Sequence, residues 1–280
     1  MRSIATATLN KKSSMTNTKA LATRNGTFRV AIHGASGAPV LLLSNSLGTT
    51  LEMWSEQVPV FSSTHQVVCY DTRGHGGSPI SQGPYDFNSL GDDVLAIMDA
   101  LNVERAVFCG ISMGGHTGLW LGAHAGERFD GIAVCNSAAK IGTAHAWDER
   151  AASVRLGGKD AMKQLAASAP ERWFSQEYIA ANPEAVSTAQ GWLEHIDPEG
   201  YAACCEALAD SDLRAELGRI VVPTLLLAGE SDPVTTVADA HSMHKAIAGS
   251  RLATVPASHL SSLEAPQAFN RALSGFIATL

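Results

Sequence analysis

The stretch that most constrains this chain runs from Ala106 to Ala125. An apolar run, Ala106-Val107-Phe108-Cys109, leads into Gly110-Ile111-Ser112-Met113-Gly114-Gly115, and an apolar, helix-like stretch follows from His116 to Ala125. That is strand, sharp turn and helix, with a serine at the apex and glycines two positions to either side. A serine on so tight a turn sits in strained backbone geometry, and side chains at the flanking positions would collide with the neighbouring strand and helix. Glycine removes the collision. The hydroxyl is left exposed at a helix N-terminus, where the backbone N–H of Met113 can point at a developing oxyanion. The same residues would also suit a serine that only caps its helix. The rest of the chain has to decide between the two.

Taken in order, Leu21 to Arg24, Asn25-Gly26 and Thr27 to Ile32 predict a hairpin closed by a type I′ turn. Val40-Leu41-Leu42-Leu43 is a continuous apolar run, as expected of a strand covered on both faces. It ends in the polar loop Ser44-Asn45-Ser46-Leu47-Gly48-Thr49-Thr50, followed by an expected helix carrying Trp54, Val58 and Phe61. The buried strand Val67 to Tyr70 runs into Asp71-Thr72-Arg73-Gly74-His75-Gly76-Gly77-Ser78. Leu90, Val94, Ile97, Met98 and Leu101 then recur at a helical period. A further strand covers Gly131 to Cys135. From Asn136 to about Leu217 no strand signal appears, and the alanine-rich segment predicts a helical lid. Strand signals resume at Pro223 to Ala228 and Arg251 to Val255, with helices at Val237 to Ile247 and Pro266 to Leu280. Such alternation predicts a mostly parallel α/β sheet with right-handed crossovers, flanked by helices, over residues 21–280. In these sheets, sites form at the carboxyl ends of the strands.

Length and composition fit that picture: 280 residues, 45% of them apolar, support one large domain with an insertion. A net charge of −7 without a basic run argues against nucleic acid and anionic membranes as partners. The five cysteines mostly sit inside apolar runs and predict small buried hydrophobes in a reducing compartment, hence a cytoplasmic protein. No cysteine or histidine spacing matches a metal site. Residues 1–20 are polar and small, and predict a flexible extension in which Met15 would serve as an alternative start.

A serine hydroxyl is a weak nucleophile and needs a base, itself oriented by an acid, and in this order of elements the acid precedes the base. After the strand ending at Ala228 stands Gly229-Glu230-Ser231-Asp232-Pro233, and after the strand ending at Val255 stands Pro256-Ala257-Ser258-His259. Among the ten histidines, His259 alone combines the required loop with the required order. Asp232 is preferred over Glu230 as the acid, for its following proline and shorter side chain. His116 is expected to pack beneath the site and His75 to line the pocket. The second oxyanion donor is expected from the loop after the first internal strand, through the backbone N–H of Leu47.

At this point the residues match a known family. The stretches are Ser44 to Thr49, Tyr70 to Gly76, Cys109 to Gly115, the run Cys135-Asn136-Ser137-Ala138-Ala139-Lys140-Ile141-Gly142-Thr143, Arg172-Trp173-Phe174, and Asp197 to Tyr201. From about Leu21 to Leu280 the chain resembles the α/β-hydrolase superfamily. Within it, it is similar to the 3-oxoadipate enol-lactonases of aromatic degradation, chiefly through Asn45-Ser46 and the Asn136 to Thr143 run. The resemblance implies a small lactone substrate, no cofactor, a lid at about 136–217, and a Ser112–His259–Asp232 triad opening a five-membered unsaturated lactone. Just beyond that run, Trp147 is expected to wall the lactone ring and to offer its N–H to the substrate carboxylate. Lys140, Arg150 and Arg172 are the candidate cations for that carboxylate. Another esterase, lactonase or perhydrolase on the same triad, or a non-catalytic ligand-binding relative, stays open.

Overall fold

The computed structural model describes residues 18–280. Eight strands form one sheet in the order β1-β2-β4-β3-β5-β6-β7-β8. They are β1 (Thr18–Thr23), β2 (Gly26–His33), β3 (Val40–Ser44), β4 (Gln66–Tyr70), β5 (Ala106–Ile111), β6 (Phe129–Cys135), β7 (Thr224–Gly229) and β8 (Arg251–Val255). β2 alone runs against the others, antiparallel to both β1 and β4; every neighbouring pair from β4 to β8 is parallel. The apolar runs fill both faces: Leu41 and Leu43 of β3 join one core, and Leu42 joins the other. That two-sided burial is why these strands are continuously apolar rather than alternating.

The framing helices are α1 (Val58–Phe61), α2 (Phe87–Ala100) and α3 (Met113–His124). Between β6 and β7 the chain leaves the sheet and forms five more, α4 (Ala144–Ser168), α5 (Pro170–Trp173), α6 (Gln176–Ala181), α7 (Pro183–Glu194) and α8 (Pro198–Asp210). The fold closes with α9 (Val237–Ala246), α10 (Ser261–Glu264) and α11 (Pro266–Ile277). In the inserted layer, α4 is kinked at Gly158 (φ 53°, ψ −132°). It is tied to α8 by Arg155, which holds both Glu199 and Glu206. Among the described residues, no helix is long and apolar enough to cross a membrane.

Three local expectations change. The first strand begins at Thr18, so residues 18–20 of the expected extension belong to the sheet; the rest of that extension and Met15 lie outside the described residues. The hairpin turn is not type I′, because neither Arg24 nor Asn25 takes a positive φ. Asn25 instead donates to Asp92 and Asp93 of α2, and the left-handed step falls to Gly26 at φ 126°. The helix expected across Trp54 to Phe61 splits into a 3₁₀ turn, Leu51–Trp54, and α1, since Pro59 has no N–H to continue a helix and fits only near its start.

The turn between β5 and α3 is packed too tightly for side chains at its glycines. A Cβ on Gly110 would lie 2.2 Å from the carbonyl oxygen of Gly114, and one on Gly114 would lie 2.3 Å from that of Ser44. Gly191 of α7, by contrast, has open space around it. Gly110→Ala is expected to destabilise by about 2–4 kcal/mol, which lowers Tm by on the order of 5–15 °C. Gly191→Ala should be neutral or slightly stabilising, since it only removes backbone freedom. Thermal unfolding followed by circular dichroism checks the pair; equal Tm values would remove the packing argument.

Candidate active site

Ser112 stands at the junction of β5 and α3 with φ 56° and ψ −116°, and its side chain makes no capping hydrogen bond to the helix. Capping therefore does not explain the serine. The turn is pinned from outside: Ser112 N–H donates to Cys135 O (3.0 Å) and Ser137 Oγ donates to Ser112 O (2.8 Å). Gly114 N–H donates to Asn45 O (3.0 Å), drawing the loop after β3 against the N-terminus of α3. Leu47 of that loop is thereby brought near Met113. Among the described residues, the backbone N–H groups of Leu47 and Met113 find no acceptor, so both remain free to bind an oxyanion.

Asp232 and His259 come from the ends of β7 and β8. His259 Nδ1 donates to Asp232 Oδ2 at 2.8 Å, and both side chains are buried. The same Oδ2 accepts from Thr235 Oγ1 (2.8 Å) and Asn136 Nδ2 (3.0 Å), while Oδ1 accepts from the N–H groups of Val234 (2.8 Å) and Thr235 (3.1 Å). Burial works against the carboxylate charge, but His259 and these donors outweigh it and hold Asp232 down at about 2. Glu230 is exposed and accepts instead from Thr254 Oγ1 (3.1 Å), away from the histidine. Ser112 and His259 line one cavity of about 210 Å³ together with Leu47, Trp147, Arg150 and Arg172.

The cavity corrects one expectation and ranks another. Trp147 does wall the cavity, but its Nε1–H is committed to Ile141 O at 2.5 Å, so it has no N–H to offer a ligand. Its ring instead carries the Arg150 guanidinium, 4.8 Å above the centroid. Lys140 lies outside this cavity and pairs with Asp212 at 3.6 Å. Arg150 and Arg172 have no carboxylate partner among the described residues. Arg172 donates only to Ser168 O and Oγ (both 3.3 Å), and burial together with the nearby Arg150 charge lowers its pKa. Both arginines thus line the same cavity as Ser112.

The family model described as "alpha/beta hydrolase fold" matches residues 39–181. The chain is 49% identical to 3-oxoadipate enol-lactonase 2 of Acinetobacter baylyi, over 87% of this chain and 90% of that protein. It is 44% identical to 3-oxoadipate enol-lactonase 1 of the same organism, over 91% and 94%. The chain belongs to the 3-oxoadipate enol-lactonase family of alpha/beta hydrolases. The crystal structure of the enol-lactonase from Burkholderia xenovorans superposes with a TM-score of 0.90 at 40% identity, covering 93% of this chain and all of that one.

Within this enol-lactonase relative, sequence reasoning missed Asn136. It directly follows β6 at φ 43°, is fully buried, and spans the acid and base loops. Besides Asp232, its Nδ2 donates to Ser258 O (3.0 Å), and its Oδ1 accepts from Ser261 Oγ (2.5 Å). A lone asparagine after a strand carries no spacing signal; its place in the Asn136 to Thr143 run was the only hint. His116 bridges α3 to the inserted layer, through Ala138 O (2.8 Å) and Ser211 Oγ (2.7 Å), and stays beneath the site. His75 does not line the cavity at all; it lies buried behind Gly48.

The Asp232 shift has a defined pH signature. The unfolded chain takes up this proton near pH ~4, whereas the folded carboxylate resists protonation until about 2. The stabilisation is therefore present above pH ~4 and is lost as pH falls from there through about 2. Asp232→Asn is expected to flatten that part of the stability profile, read by denaturant unfolding at a series of acidic pH values. A slope identical to that of the wild type would mean that other carboxylates carry it.

Proposed function

We propose that this chain hydrolyses 3-oxoadipate enol-lactone to 3-oxoadipate through an acyl-enzyme, with Ser112 as nucleophile, His259 as base and Asp232 as its orienting acid. Membership of the enol-lactonase family supports the reaction class. One observation carries the substrate assignment to this chain's own residues: Arg150 and Arg172, both without an acidic partner among the described residues, share a cavity with Ser112 and His259. A lactone bearing an acetate arm has one carbonyl to attack and one carboxylate to hold, and a cavity of about 210 Å³ admits a molecule of that size.

His259 Nδ1–H is given to Asp232, which leaves Nε2 as the basic nitrogen. Nε2 takes the proton of Ser112 Oγ as the oxygen forms its bond to the ring carbonyl, and the carbonyl electron pair moves to an oxyanion. The N–H groups of Met113 and Leu47 receive that oxyanion. On collapse the ring C–O bond breaks. The leaving enolate takes the proton back from His259 and, tethered through the acyl group, tautomerises to a ketone. Water then adds to the acyl ester with His259 again as base, and Ser112 leaves with the returned proton. Asp232 stays ionised throughout and stabilises the imidazolium. An enolate leaves easily, so orientation and oxyanion stabilisation matter more here than leaving-group protonation. The Trp147 ring, stacked under Arg150, supplies an apolar wall for the lactone. All five cysteines are free, and Cys109 and Cys135 keep their sulfurs 3.8 Å apart, which supports a reducing, cytoplasmic setting.

Ser112→Ala is expected to lose on the order of 10⁴-fold or more in turnover number with an unchanged melting temperature, followed by loss of enol-lactone absorbance. Near-wild-type hydrolysis by this variant would sink the serine mechanism. Arg172→Gln tests the carboxylate contact separately. Charge-assisted hydrogen bonds of about 1.5–3 kcal/mol correspond to a rise in KM of roughly 10- to 100-fold for the enol-lactone. Hydrolysis of a small neutral ester should hardly change; equal losses on both substrates would make Arg172 a packing residue.

A further inference from the structure

His75 is a fully buried titratable group that the reaction does not touch. It lies in the loop after β4, behind the loop that carries Leu47. Its Nε2 is 2.9 Å from Gly48 N, and its Nδ1 is 3.2 Å from Arg73 O. A backbone N–H can only donate and a carbonyl can only accept. The two contacts together require a neutral imidazole with its proton on Nδ1 and a bare Nε2 that accepts from Gly48. Burial favours that neutral form, pushing the imidazole down to about 4.

The surroundings leave Gly48 little other support. It takes φ 81°, and a Cβ there would lie 2.7 Å from Leu193 Cδ1 of α7. Thr49 N–H and Oγ1 both return to Ser46 O, closing a tight turn around Leu47. The His75 end is equally confined. Gly74 packs against Gly200 at the start of α8, where an added Cβ would lie 2.8 Å from backbone. His75 N–H and C=O are tied to Thr72 O (2.9 Å) and Ser78 N (3.0 Å). The imidazole is thus a rigid strut between two loops, and the N–H it holds belongs to the residue following Leu47.

We infer that His75 is a positioning residue for the oxyanion hole: by accepting from Gly48 N–H, it fixes the Leu47–Gly48 peptide, and with Ser46 O held by Thr49 on the other side, this sets the Leu47 backbone torsions that aim the Leu47 N–H at the tetrahedral intermediate. The inference rests on the serine reading above. It separates His75 from a histidine that merely satisfies a buried donor, because an aiming role acts on the transition state and not on the bound ground state.

The test compares His75→Asn and His75→Leu, which remove the acceptor at the Nε2 position, with His75→Gln, whose longer amide oxygen reaches it. The two removal variants are expected to lose about 10- to 100-fold in kcat with KM for the enol-lactone nearly unchanged. They should lose affinity by the same factor for a trifluoromethyl ketone carrying a terminal carboxylate, which forms an oxyanion on the serine. Inhibition by the product 3-oxoadipate, which forms none, should stay as in the wild type. His75→Gln should recover most of both losses. Removal variants that turn over like the wild type, or a Gln variant as impaired as they are, would overturn the inference. So would product affinity falling in step with ketone affinity. The wild type gives a readout that needs no variant to fold: nitrogen NMR should find His75 as the Nδ1–H tautomer, and an Nε2–H tautomer excludes the strut. Failure of the serine reading looks different, because the ketone then fails to inhibit the wild type itself.

Discussion

Ser112 occupies a backbone conformation, φ 56° and ψ −116°, that an L-residue keeps only when its surroundings hold it there. What holds it is close approach. β5, α3 and the end of β3 meet so tightly that neither Gly110 nor Gly114 has room for a methyl group, and Ser137 and Cys135 fasten the Ser112 backbone from β6 and its following loop. The same approach draws Asn45 O onto Gly114 N–H and so brings the loop after β3 to the serine. Remove the glycines and the hydroxyl, the helix N-terminus and the loop carrying Leu47 separate together. The strain is local, but the geometry of three loops depends on it.

The acid end of the site shows a different solution to a similar problem. A carboxylate taken almost wholly out of water is costly unless donors replace the solvent. Asp232 has five: His259, Asn136, two backbone N–H groups and the Thr235 hydroxyl. Asn136 can serve because it turns back at φ 43° immediately after β6, into space kept open by Gly229, where a Cβ would lie 2.8 Å from its Nδ2. The acid loop, the base loop and the departure of the chain from the sheet are thereby joined at one side chain. An alanine at 136 would leave Ser258 O, Ser261 Oγ and one lone pair of Asp232 without their partner, a larger loss than one hydrogen bond.

These two features differ in how far the amino-acid order announces them. The sheet was legible because its strands are buried on both faces, so Val40 to Leu43 and Leu225 to Ala228 stand out as unbroken apolar runs. The serine turn was legible because glycine spacing reports a steric need directly. The order Ser112, Asp232, His259 followed from connectivity, and the 2.8 Å contact of the last two joins residues far apart in the chain. What stayed hidden depends on partners that no local pattern names. Asn25 looked like the first half of a type I′ turn until Asp92 and Asp93 claimed its amide. The indole N–H of Trp147 looked free until Ile141 O claimed it. Lys140, Arg150 and Arg172 were equivalent in sequence. They separate only through the packing of the inserted helices, which hands Asp212 to Lys140 and leaves the other two without a carboxylate partner among the described residues.

That unpaired couple stands out in a chain of net charge −7, where carboxylates are plentiful on the surface. Arg172 is half-buried, and burial together with the Arg150 charge disfavours its protonated form. The position of Arg172 also ties it to the loop of His259. It lies in α5 next to Trp173, whose carbonyl accepts from Leu260 N–H at 2.9 Å. Glu264 then bridges Ser175 N–H (3.2 Å) to Ser258 N–H (2.9 Å). Ser258 and Leu260 flank His259. The backbone that holds the imidazole and the backbone that holds Arg172 are therefore one hydrogen-bonded unit. In the proposed reaction, a carboxylate held by Arg172 would therefore be fixed in register with the imidazole, since both hang from the same backbone.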